Sequence, residues 1–73
     1  MKTITVTHKK LGTRIKELRK QLGMTQEDLA FQVGVDRSYM GFVERGEKNP
    51  TLSKITKIAK SLKTSLSKLF VNI

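Results

Sequence analysis

Apolar residues recur along this chain at helical spacing in short blocks, each parted from the next by a residue that stops or starts a helix. Leu11, Ile15, Leu18 and Leu22 fall at i, i+4, i+7 and i+11, which predicts a helix from about Lys9 to Gln21, with Gly23 as a left-handed stop. Thr25 then opens a second helix. Its hydroxyl can accept a first-turn N–H, Asp28 can reach back to it, and Met24 and Leu29 stand in hydrophobic-staple positions. Leu29, Ala30 and Val33 form the apolar stripe of that helix, which ends in a tight turn at Gly34. Asp36 caps a third helix, Arg37 to about Arg45, with Val35 and Met40 as its staple and Met40 and Val43 pointing inward. Pro50 forces an extended residue before it. Thr51 can then cap a fourth helix, with Leu52, Ile55, Ala59 and Leu62 on one face and Ile58 beside them. Leu66, Leu69, Phe70 and Ile73, at i, i+3, i+4 and i+7, make a short fifth element. The expected fold is all-α, a bundle of five helices.

Residues 1–8, MKTITVTH, break this pattern: Thr alternates with Ile and Val at period two. The alternation is strand-like, but no second strand follows to pair with it. Residues 1–8 are therefore expected to form a flexible arm and residues 9–73 the folded domain. The second and third helices are too short to stand alone in water. Around the Gly34 turn they read as a helix-turn-helix, held by the flanking helices.

Charge narrows the choice of partner. Fifteen Lys and Arg against six Asp and Glu give +9 on 73 residues, which favours a polyanion, nucleic acid first. Lys16 and Lys20 on the first helix read as solvated positions, and Lys54, Lys57, Lys60 and Lys63 on the fourth as a solubilising face that adds long-range attraction. Without cysteine there are no disulfides or thiolate metal sites, which fits a reducing cytosol. No apolar run approaches the ~20 residues needed to span a bilayer. No Lys-rich amphipathic helix has an aromatic face free for a membrane surface. His8 is the only histidine, and no nucleophile–base set, Gly-rich phosphate loop or metal cluster accompanies it, so an enzyme is not expected. Neither a cofactor nor a small-molecule effector site is evident, and a cytoplasmic, nucleoid-associated protein is expected.

The third helix carries the candidate chemistry. Ser38, Gly41, Phe42 and Arg45 share the face opposite Met40 and Val43, with Arg37 at the leading end. Recognition helices touch base edges mainly with their N-terminal residues. Arg37 offers guanine a two-pronged fork, and Ser38 can reach most base edges. A cation in the first turn opposes the helix dipole by a few tenths of a kcal/mol, so helix stability does not explain Arg37 and an acceptor-rich partner does. Gly41 costs roughly 1 kcal/mol in a helix interior, which suggests a close approach there.

The run from Leu11 to Phe70, with IKELRKQLGMTQEDLA, the VGV turn, the ERG ending helix three and NPTL before helix four, resembles the phage-repressor and Cro class of helix-turn-helix proteins, often called XRE-type. The D-R-S-Y opening of helix three is similar to that of the small controller proteins of restriction–modification systems. The resemblance implies a lambda-repressor-like five-helix bundle, usually a symmetric dimer on a near-palindromic operator with the recognition helix, about 37–45, in the major groove. It implies that Gln26 contacts a phosphate and braces that helix. Arg37, Ser38 and Tyr39 would meet bases or adjacent backbone, and Arg45, Lys48 and Asn49 would grip phosphate. Phe42, outward on the same helix, is set against thymine methyls or a partner chain. A carboxylate at Glu44 and a guanidinium at Arg19 would meet in a partly buried structural ion pair rather than a catalytic one.

A regulator of double-stranded DNA acting as a homodimer is thus the leading expectation, with Leu66, Leu69, Phe70 and Ile73 as the candidate dimer interface. The competing class is a protein-interaction module, such as the antitoxin of a toxin–antitoxin pair. Antitoxins of this fold usually add a toxin-binding segment, for which the chain has few residues to spare, and co-purification with a stable partner would favour that class.

Overall fold

A side chain just ahead of each helix closes its N-terminus in the computed structural model, which describes residues 5–71 and 73. The helices are α1 (Val6–Gln21), α2 (Gln26–Val33), α3 (Arg37–Glu44), α4 (Leu52–Ser61) and α5 (Leu66–Leu69). Thr5, Thr25, Asp36, Thr51 and Ser65 each accept the backbone N–H three residues on, satisfying a donor that the helix itself cannot. At α2 the box is reciprocal: Asp28 Oδ2 accepts from the Thr25 N–H at 2.9 Å. That backbone donor, then the Thr25 hydroxyl, holds the Asp28 carboxyl below the usual carboxylate range. Among the described residues the fold is all-helical, with no strand.

The first helix begins earlier than the alternating pattern suggests. Thr5 and His8 form a second reciprocal box, so Val6, Thr7 and His8 are helical rather than part of an arm. The β-branched alternation is a weak local preference, and a satisfied cap overrides it. The rest of the expected arm, residues 1–4, lies outside the described residues.

Glycine ends three of the helices. Gly23, Gly34 and Gly46 all have positive φ, and the chain closes behind Gly23 with Met24 N–H on Arg19 O at 3.1 Å and behind Gly46 with Glu47 N–H on Phe42 O at 2.8 Å. These stops turn α2 against α3 and α4, while α1 packs on α3 and α5. Leu11, Ile15, Leu29, Met40, Val43, Ile55, Ile58, Leu62 and Leu69 make the core they share.

Two stripes differ from the sequence pattern. On α1 the buried face is Leu11, Gly12, Ile15 and Arg19, while Leu18 is half-buried and Leu22 exposed. Leu22 stands past the last helical residue, as the C-cap, and Arg19, three residues earlier, is the last buried position of the helix. On α4 the stripe is Ile55, Ile58, Ala59 and Leu62. Leu52, one turn earlier at the first position of the helix, is 71% exposed.

Candidate nucleic-acid interface

The αL turn at Gly34, with φ of 85°, sets α3 across α2, and Asp36 starts α3 by accepting from Tyr39 N–H at 2.7 Å. Met40 and Val43 enter the core. Arg37, Ser38, Phe42 and Arg45 are left exposed on the other side. With Gln26 from the first turn of α2 and Gly41 between them, they line a shallow cleft of about 230 Å³. No acid lies in the first turn of α3. The cleft therefore presents two guanidiniums, a hydroxyl and an amide to solvent.

Gly41 sets how tightly this cleft closes. A Cβ there would stand 3.2 Å from Arg45 Nη1 and 3.4 Å from Gln26 Oε1. The missing side chain lets an amide from α2 and a guanidinium from α3 approach the helix backbone between them. The bare backbone is filled by protein groups.

Beneath the cleft lies a buried polar network. Arg19 forks onto Glu44, Nε to Oε2 at 2.7 Å and Nη2 to Oε1 at 3.0 Å, and its Nη1 donates to Met24 O at 2.8 Å. Gln26 Nε2 adds a third donor to Glu44 Oε1, at 3.1 Å. The chain thus ties α1, the α1–α2 loop, α2 and α3 to one carboxylate. Gln26, part of the exposed cleft, is anchored from inside it.

Arg45 caps the C-terminus of α3, and its Nε lies 3.1 Å from Glu47 Oε1 in an exposed pair. Its guanidinium stands 5.0 Å from the centroid of the Phe42 ring, and Lys48 Nζ stands 5.7 Å from the same centroid. Asn49 is exposed beside Lys48 in the following loop. The sequence reading gave Glu47 no role; an acid two residues from a cation is the only signal of it.

Other expected site residues fall elsewhere. Tyr39 is half-buried and packs against the core, outside the lining of the cleft. Leu69, expected in a dimer interface, is fully buried in the core and unavailable to a partner. Leu66, three residues earlier, is instead 36% exposed, as is Phe70, and Val71 is more open still. The turn after α4 rotates α5 so that Leu69 points inward, and one face of so short a helix cannot serve both neighbours. Ile73 is half-buried against the core. Phe31 on α2 is 86% exposed and outside the cleft. Among the described residues no helix is long and apolar enough to cross a membrane, and no group of three or more His, Cys, Asp or Glu side chains could hold a metal ion.

Comparison with known proteins matches residues 15–69 to the HTH_3 family, described as helix-turn-helix. An uncharacterized HTH-type transcriptional regulator of Archaeoglobus fulgidus is 46% identical over 61 residues, covering 84% of this chain and 87% of that protein. Control protein C.MunI of a Mycoplasma species is 37% identical over 65 residues, 88% of each chain. The crystal structure of the restriction-modification controller protein C.AhdI from Aeromonas hydrophila superimposes with a TM-score of 0.87 at 45% identity, over 90% of this chain and all of that one.

Proposed function

Because this chain belongs to the HTH_3 helix-turn-helix family, we propose that it is a sequence-specific regulator of transcription on double-stranded DNA, a homodimer on a near-palindromic operator, of the kind that controls a restriction–modification system. Relatives named as transcriptional regulators, control proteins and an immunity repressor support the regulatory part of that reading. The observation that carries DNA recognition is the cleft in which Gln26, Arg37, Ser38 and Arg45 meet over Gly41 on a chain of net charge +9. Arg37 and Ser38, in the first turn of α3, read base edges in the major groove. Tyr39 serves the adjacent backbone, and Gln26, Arg45, Lys48 and Asn49 hold phosphates. The work is done in the cytoplasm, on the nucleoid.

The chemistry of recognition divides by depth. Phosphate contacts at the rim fix register and are the same on every sequence. A fork such as Arg37 on the O6 and N7 of guanine discriminates, at about 1–3 kcal/mol for a good bidentate pair. Dimerisation follows from the small size of one half-site: a single short helix reads too few base pairs to find one place in a genome. Selection of bound duplexes from a randomised pool tests the whole reading. The expected product is an inverted repeat whose half-sites are centred about one helical turn apart. A pool that stays random after selection would refute sequence-specific binding.

A further inference from the structure

Phe42 is an aromatic ring on the outer face of α3, 38% exposed, with no part in the core. Arg45 and Lys48, two cations assigned above to phosphates, stand 5.0 and 5.7 Å from its centroid. Both distances lie within the roughly 6 Å over which a ring face attracts a cation. We propose that Phe42 is a positioning residue, a platform that holds Arg45 and Lys48 in the poses that receive phosphate, and not a reader of bases.

Three observations converge on this role. Phe42 is the sixth residue of α3, beyond the first turn where base-reading side chains sit. Its ring already engages the two cations in the free protein. The Arg45 guanidinium is further steered by Glu47, whose Oε1 lies 3.1 Å from Nε, and by the bare backbone at Gly41, so it lies along the helix while its outer side stays open to solvent. Long cationic side chains lose rotamer freedom when they bind, and a platform that has already restricted them lowers that cost. Because phosphate contacts are independent of sequence, the platform acts on all DNA alike.

The proposal rests on the DNA-binding reading, so its test separates the two. Ring-current shifts on the Arg45 Hδ and Lys48 Hε protons of the free protein report the platform without DNA. They should be present in the wild type and in Phe42→Trp and absent in Phe42→Leu, at equal helix content. Binding is then measured to the duplex that wild type selects and to a random duplex of the same length. Phe42→Leu should weaken both by the same factor, about 3- to 10-fold, while Phe42→Trp stays near wild type. A Phe42→Leu variant that changes preference at one base pair would make Phe42 a base reader and overturn the proposal. So would absent ring-current shifts, or unchanged binding to both duplexes. A wild type with the shifts but no affinity for any duplex would overturn the DNA-binding reading, and with it the phosphate role of the platform.

Discussion

Arg19 and Glu44 meet in a forked pair between α1 and α3, and neither residue is more than 7% exposed. Burying two charges is costly, and their attraction repays the cost only where the remaining donors and acceptors are also satisfied. Here they are: Met24 O takes the third Arg19 hydrogen bond, and Gln26 donates to the carboxylate. The pair thus joins α1 to α3 at a fixed register.

Removing either partner strands the other charge. Arg19→Ala or Glu44→Ala should each destabilise the fold by about 3–5 kcal/mol. Replacing both together with apolar residues of similar volume should cost less than the sum. Chemical denaturation of the four proteins gives the coupling energy, and a value near zero would remove the ion pair as a structural element.

The two buried glycines of α1 and α3 should respond in opposite ways to alanine. A Cβ on Gly12 would stand 2.5 Å from the carbonyl oxygens of both Val43 and Glu44, backbone atoms of α3 that give way only if α1 and α3 move apart. Overpacking of that kind costs about 1–3 kcal/mol and outweighs the helix-propensity gain of about 1 kcal/mol. At Gly41 the neighbours are the tips of Arg45 and Gln26, which can shift by a few tenths of an ångström. Gly41→Ala should leave stability unchanged or raise it by up to about 1 kcal/mol while weakening DNA binding. Thermal melts of the two variants, read beside duplex titrations, check the contrast.

The caps were readable because they are local. Thr25, Asp36 and Thr51 each need only the backbone three residues away, and Gly23 and Gly34 only their own φ. Stripes were readable where a helix stays in contact along its length, as for Met40 and Val43. They misled where a neighbour runs out: Leu52 projects past its packing partners, and Leu66 and Leu69, expected to share one interface, part company, Leu69 entering the core and Leu66 staying exposed. Side-chain spacing gives a face but not where the adjoining helix ends. Of the cleft, Arg37 and Ser38 were legible from helix position. The platform under Arg45 and Lys48 was not, because it depends on rotamers of exposed side chains.

Base reading and phosphate gripping should separate in solution. Arg37→Ala should weaken specific binding by about 1–3 kcal/mol and relax preference at one position of each half-site. Lys48→Ala should weaken all sequences alike and lower the salt slope by about one. Titrations on selected and random duplexes at several salt concentrations distinguish them. Equal loss on both duplexes for Arg37→Ala would make it a phosphate contact.

The dimer should be joined through the exposed face of α5. Leu69 is spent on the core, so the surface left for a second copy is Leu66 and Phe70, four residues apart on one side of the helix, with Val71 beyond. A two-fold joint requires a patch that can meet itself, and a short apolar row does so without unpaired polar groups. Two copies related by that axis would set their third helices about 34–36 Å apart to read successive major grooves. Phe70→Asp puts like charges across the axis while leaving the buried Leu69 in place. It should therefore give a folded monomer, or a weak dimer, with unchanged helix content and poor binding to a two-half-site operator. Binding to random DNA, which needs no second half-site, should fall much less. Sedimentation of wild type and variant at high micromolar concentration decides the matter. A wild type that stays monomeric there, or a variant that still dimerises normally, would move the joint away from α5.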